Sequence, residues 1–175
     1  MTETADGLLV RARALAAAVP DPEIPVVTLD DLGILRSVHR EGERIVVVLT
    51  PTYTGCPATQ VIADDVRRAL SDDGLGNVDV RLTLSPPWTT DWISEDGRRK
   101  LREYGIAPPA HLADGAAAVI RFVPRARSMP ASPGIACPRC GSADVEQVSE
   151  YGSTPCKALY RCVACREPFD YFKPY

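Results

Sequence analysis

The tail of the chain carries Cys137-Pro138-Arg139-Cys140 and, farther on, Cys162-Val163-Ala164-Cys165. Two Cys-x-x-Cys pairs constrain a short segment more than its composition does. Each pair bends into a knuckle that presents two sulfurs to one ion, and two knuckles close a tetrahedron. The spacing predicts a small ribbon in which Cys137, Cys140, Cys162 and Cys165 hold a structural zinc. Gly141, directly after the first pair, suits the sharp turn that points amides back at the thiolates, and Tyr160, Phe169 and Tyr171 are placed to cover the site. Metal stands in for a core that so few residues cannot build, and structural zinc contributes on the order of 10 kcal/mol or more in small peptides. Four thiolates in a tetrahedron also accept iron. The opposing reading, a pair of disulfides, suits a secreted chain, and no feature of the sequence marks one.

With 175 residues, 45% of them hydrophobic, the chain can hold one domain with its own core beside this small module. A formal net charge of -3 argues against broad nucleic-acid binding. The basic groups Arg98, Arg99, Lys100 and Arg102, and then Arg121, Arg125 and Arg127, read as solvated faces. The start, Met1 to Gly7, is acidic and polar, and no apolar stretch approaches the roughly 20 residues of a membrane helix. The expectation is a cytoplasmic protein without membrane or nucleic-acid partners.

Leu8, Ala12, Leu15, Ala16 and Val19 recur at helical spacing and Pro20 closes the segment. Ile34 to Val38 and Ile45 to Leu49 are β-branched runs joined through Arg40-Glu41-Gly42-Glu43, which predicts a hairpin. After Gly55-Cys56-Pro57, the residues Val61, Ile62, Val66, Ala69 and Leu70 fit one helical face. Val78, Val80, Leu82 and Leu84 then alternate as a strand. The result is an α/β (α+β) fold, a compact αββαβ core. Ser94 is placed to cap a further helix with Glu95 and Asp96 in its first turn and Arg102 in its last, and Gly105 stops it. Ala116 to Val123 reads as a strand, and Pro124, Pro130 and Pro133, with Ser128 and Ser132, as a linker. The expected domains are 1–129 and 130–175.

Cys56 lies outside the ribbon. Pro57 suits a first helical position, which puts the thiol at the N-cap of the second helix, where amides and the helix dipole favour a thiolate. Hydroxyls of Thr50-Pro51-Thr52-Tyr53-Thr54 are near in sequence. A buried cysteine acting as a small apolar residue is the alternative.

Asp21-Pro22-Glu23-Ile24-Pro25, Leu32-Gly33-Ile34 and Thr50-Pro51-Thr52-Tyr53-Thr54-Gly55-Cys56-Pro57 resemble the hallmark segments of the MIP18 (formerly DUF59) domain, over roughly residues 8 to 85. The resemblance implies a compact α/β domain that assists iron-sulfur cluster assembly or delivery, with its reactive cysteine at Cys56. Asp91 to Arg98, Leu101 to Pro109 and Gly152 to Cys162 are similar to the D-subunit family of the phenylacetyl-CoA epoxidase system. That similarity implies an accessory protein of phenylacetate degradation, with oxygenase and reductase subunits as partners. The chain has no paired Glu-x-x-His ligands and no dinucleotide fingerprint, and His39 and His111 read as surface or packing residues. It is therefore expected not to be an enzyme.

Cys156 is a further thiol that a four-coordinate zinc cannot use. Three readings stay open: it joins Cys56 in an open site for transient iron or cluster transfer, to which a homodimer or client adds ligands, it packs within the ribbon hairpin, or it replaces Cys162 as the fourth zinc ligand. Asp21 and Glu23 offer oxygen ligands or brace the loop beside Cys56, together with Thr54. Trp88 and Trp92 read either as a partner contact or as the lid of the core. The leading function is a maturation factor acting through Cys56, and its competitor is a structural or regulatory subunit of the oxygenase complex. Thiol-disulfide exchange is disfavoured because no Cys-x-x-Cys includes Cys56.

Overall fold

The structure is a computed structural model that describes residues 5–53, 55–109 and 134–174. These divide into two compact units, the first ending at Arg98 and the second running from Arg99 to Pro174.

In the first unit α1 (Ala5–Ala18) precedes β1 (Leu35–Glu41) and β2 (Arg44–Leu49), α2 (Thr59–Asp72) follows, and β3 (Val78–Leu82) ends the core. This is the expected αββαβ order. The sheet runs β1-β2-β3, with β1 antiparallel and β3 parallel to the central β2. Gly42, at φ 61°, opens the tight turn between β1 and β2, so the hairpin loop is shorter than the polar run suggested. A parallel β2–β3 pair requires a crossover, and α2 supplies it.

Helix α1 packs on β1, β2 and α2, and α2 packs on β3. Ala12 and Ala16 are fully buried, and their small side chains let α1 approach closely. On α2 the buried positions are Ile62, Ala63, Val66 and Leu70. Val61, expected on this face, is 48% exposed, because the inward stripe follows 62, 66 and 70 and position 61 lies about 100° to one side. Leu82 and Leu84 were expected to alternate inward, yet both are exposed, since the buried run of β3 is limited to Val80. On the other face of the sheet Arg81 reaches from β3 to Glu41 on β1 with two hydrogen bonds of 2.7 Å, and His39 joins Glu41 at 3.3 Å. His39 is thus part of a surface network.

Beyond β3 the chain folds back over the loop before β1. The Trp88 indole N–H donates to the Leu32 carbonyl at 2.8 Å, the Ser94 amide donates to the Asp31 carbonyl at 2.9 Å, and Arg36 stacks 3.5 Å from the centre of the Trp92 ring. Trp88 is therefore part of the core lid. Ser94 caps α3 (Glu95–Tyr104) as expected: its hydroxyl accepts the Gly97 amide at 2.9 Å, and Gly105 at φ 96° ends the helix.

The second unit contains β4 (Ile106–Ala107), β5 (Val145–Ser149), β6 (Lys157–Cys162) and β7 (Pro168–Phe172), in the sheet order β4-β7-β6-β5. The meander β5-β6-β7 is antiparallel and β4 pairs in parallel with β7. That pairing puts residues 106 and 107 in the cysteine-bearing sheet, whereas the sequence grouped them with the first domain. The expected boundary at 129/130, the strand at 116–123, the proline linker, His111 and the arginines at 121, 125 and 127 lie outside the described residues. Among the described residues, no helix is long and apolar enough to cross a membrane.

Candidate metal centre and thiol site

The two knuckles of the second unit repeat one geometry. After the first pair the Gly141 amide donates to the Cys137 carbonyl at 2.8 Å, and after the second the Arg166 amide donates to the Cys162 carbonyl at 2.9 Å. Both closing residues have positive φ, 76° for Gly141 and 66° for Arg166. The Cys137 and Cys162 amides in turn donate to the carbonyls of Ser142 and Glu167, and Val163 N–H to Asp144 O joins one knuckle to the other. The sequence marked this turn at Gly141 but not at Arg166, where a side chain occupies the same strained conformation.

These turns bring the Sγ atoms of Cys137, Cys140, Cys162 and Cys165 within 4.8 Å of one another. Cys137 and Cys165 are 3.8 Å apart and Cys140 and Cys162 3.5 Å. Tetrahedral zinc with bonds of about 2.3 Å separates its sulfurs by roughly 3.8 Å, so the donor set fits such an ion. Cys162 is drawn down to about 7, first by the Cys165 amide, which donates to its sulfur at 3.4 Å. At Cys165 the Glu167 amide pulls downward, but burial and the thiols of Cys162, Cys140 and Cys137 outweigh it and push the group up to about 12. Four such groups cannot all ionise side by side without a cation. The expected aromatic cover is present: Tyr160 stacks on Phe169 with centroids 6.0 Å apart and meets the edge of Tyr171 at 5.5 Å, and all three share a cluster with Cys137 and Cys162.

Cys156 also belongs to the second unit, where it is 5% exposed and its sulfur lies 3.0 Å from the Thr154 hydroxyl. The loop before it is seated on Asp170, which accepts from Ser153 at 2.9 Å and pairs with the buried Lys157 at 3.7 Å. Gly152 lets this approach occur, since an added Cβ would lie 2.6 Å from a carboxylate oxygen of Asp170 and would displace it.

Cys56 is in the first unit, partly exposed, and like the other cysteines forms no disulfide. It is not the N-cap of α2. That helix begins at Thr59 and its N-cap is Ala58, which offers no capping side chain. Cys56 instead opens a preceding turn, closed by hydrogen bonds to its carbonyl from the Thr59 amide at 3.2 Å and the Thr59 hydroxyl at 2.8 Å. Pro57, taken from sequence as the first helical residue, lies within that turn; lacking an N–H, it suits a turn as well as a helix start. The segment is anchored at its other end by the Thr50 amide, which donates to the Ile34 carbonyl at 2.9 Å. Thr50 is buried, and its hydroxyl has no hydrogen-bond partner among the described residues. Thr54 lies outside the described residues. Thr50, Pro51, Thr52 and Tyr53 form one wall of a cleft of about 450 Å³, and Leu84, Pro87, Trp88 and Thr89 form the other.

Asp21 is buried and its Oδ1 accepts the amides of Glu23 and Ile24, both at 2.8 Å. This oxygen shapes the Asp-Pro-Glu loop. Two residues that sequence reasoning did not single out carry comparable local roles. Asp31 exchanges side-chain and backbone bonds with Thr28, and Thr59 closes the Cys56 turn. The Asp31 pair follows the Thr-x-x-Asp spacing that marks reciprocal capping and was available to be read.

Residues 12–84 match the family described as iron-sulfur cluster assembly protein, and residues 123–173 match the PaaD zinc beta ribbon domain. The chain is 50% identical over 160 residues to an Escherichia coli (strain K12) protein named as the D-subunit of 1,2-phenylacetyl-CoA epoxidase, covering 91% of this chain and 89% of that one. Over 85 residues it is 39% identical to an Fe-S protein maturation auxiliary factor of Porphyromonas gingivalis, covering 47% of this chain and 80% of the relative. A crystal structure of a domain of unknown function, DUF59, from Bacillus anthracis aligns with a TM-score of 0.51 at 27% identity, over 55% of this chain and 92% of that one.

Proposed function

The chain belongs to the D-subunit family of 1,2-phenylacetyl-CoA epoxidase, and from that membership we propose that it is a non-catalytic maturation factor, which takes iron or an iron-sulfur cluster on Cys56 and passes it to the oxygenase or reductase components of the same system. The observation that carries this reading is the setting of Cys56. It is a partly exposed thiol on the turn that leads into α2, within the residues that match the cluster-assembly family.

Iron or cluster is cargo in this scheme. In transfer, a client cysteine thiol loses its proton and bonds to iron as the bond from iron to Cys56 breaks and Cys56 takes up a proton. The exchange needs no electron donor or acceptor. A site with few ligands from this chain, completed by a second copy or by the client, releases cargo more readily than a closed set of four thiolates. In this reading Asp21 and Glu23 serve to brace the loop that accompanies Cys56, the Asp21 carboxylate holding the amides of Glu23 and Ile24. Cys156, buried beside Thr154, packs the cysteine unit. Zinc is the ion we assign to the ribbon set, where its chemistry is to cross-link two knuckles without redox change.

Co-expression of the reductase with the wild type or with Cys56→Ser tests the reading. Cluster occupancy of the reductase, measured as iron per protein and visible absorption, is expected to fall several-fold with the variant. Full occupancy, with the variant still co-purifying in fixed ratio with the oxygenase components, would instead identify a structural or regulatory subunit.

A further inference from the structure

The Cys56 carbonyl receives two hydrogen bonds from a single residue. Thr59 donates its amide at 3.2 Å and its hydroxyl at 2.8 Å. Thr59 is the first residue of α2, one position past the N-cap Ala58, and a threonine hydroxyl inside a helix can donate back to the carbonyl three residues earlier. Here the hydroxyl donates backward, to the peptide that carries the thiol. The dihedrals between Cys56 and the helix make this contact consequential. The Cys56–Pro57 peptide is planar, and the pyrrolidine ring locks φ of Pro57. The Cα–C torsion of Cys56, already narrowed because the residue precedes a proline, sets where its carbonyl points relative to the thiol, and the Thr59 hydroxyl bond holds that carbonyl in place. On the other side Gly55, at φ 91°, has no side chain to restrain the approach.

We propose that Thr59 is a positioning residue for Cys56: its hydroxyl fixes the Cys56 carbonyl and so sets the direction in which the thiol leaves the turn. The inference rests on the reading of Cys56 as the cargo-bearing thiol, and it names a residue that acts on that site without touching cargo. Thr59→Val removes the donor and keeps the β-branched shape and the amide, whereas Thr59→Ser keeps the donor.

The test compares both full-length variants with the wild type and Cys56→Ser. One readout is the rate of Cys56 alkylation by iodoacetamide across pH, followed by peptide mass. The second is the iron and sulfide retained after anaerobic reconstitution with ferrous iron and sulfide. With far-UV circular dichroism and ribbon metal unchanged, Thr59→Val is expected to lower retained iron by about 2- to 10-fold, the range set by one hydrogen bond, and to alter the alkylation profile. Thr59→Ser is expected to stay near wild type on both readouts. Wild-type behaviour of Thr59→Val would overturn the inference, as would equal losses in Val and Ser. If Cys56→Ser retains all its iron, the parent reading falls, and a Val-against-Ser difference in alkylation alone still decides the positioning role.

Discussion

Gly33 is held by two independent restraints. Its φ is +66°, and a Cβ added there would lie 2.6 Å from both the Cβ and the carbonyl oxygen of Trp92. A left-handed conformation costs an ordinary residue about 1–2 kcal/mol and overpacking typically costs about 1–3 more. Gly33→Ala should therefore destabilise the first unit by about 2–5 kcal/mol in urea unfolding followed by tryptophan fluorescence. Gly76→Ala is the control: its added Cβ meets nothing within 4 Å and its φ is not positive, so a change under about 0.5 kcal/mol is expected. The Leu32-Gly33-Ile34 signature is visible in the sequence, but the reason for the glycine is not, because Trp92 reaches it through tertiary packing. The placement of Cys56 failed for a local reason. Proline suits both the first turn of a helix and a turn that precedes one, and only the Thr59 bonds to the Cys56 carbonyl distinguish them.

Elements follow the periodicity of the sequence more faithfully than residues follow their assigned faces. The αββαβ order was legible because helix and strand periods differ and Gly and Pro punctuate them. Which apolar residues face inward was less so: Val61 and Leu82 fit the period, yet α2 turns its 62-66-70 stripe inward and β3 buries little beyond Val80. In the cysteine unit, strand β7 carries a titration that the sequence did not announce. Burial, with a smaller contribution from Tyr160, pushes Tyr171 up to about 12 from the usual 10. The folded state thus holds the phenol proton more tightly than the unfolded state does. That contribution is fully present below pH 10 and is lost progressively as pH rises through about 12. Unfolding of the cysteine unit, followed by amide exchange or tyrosine fluorescence across that window, should show falling stability in the wild type and a flatter profile in Tyr171→Phe. An equally steep fall in the variant would assign the loss to other groups.

At the scale of the whole molecule, two compact units hold their thiols in two kinds of setting. The second gathers four sulfurs within 4.8 Å, on knuckles whose backbone bonds repeat from one to the other, and covers them with aromatic rings. Such a set suits an ion that stays. The first presents one thiol, Cys56, on a turn closed by Thr59. A single pinned thiol suits an ion that leaves. The ribbon ligands were legible because two Cys-x-x-Cys pairs encode their geometry locally, whereas the Cys56 turn is closed by Thr59 at the start of α2, a bond that no short motif records. The most direct test of the account is the zinc, iron and acid-labile sulfide content, with visible absorption, of wild type and Cys56→Ser purified anaerobically. Equal zinc is expected in the two proteins, with iron and sulfide in the wild type that are lost with Cys56. Iron and sulfide retained in Cys56→Ser, or absent from both, would contradict it.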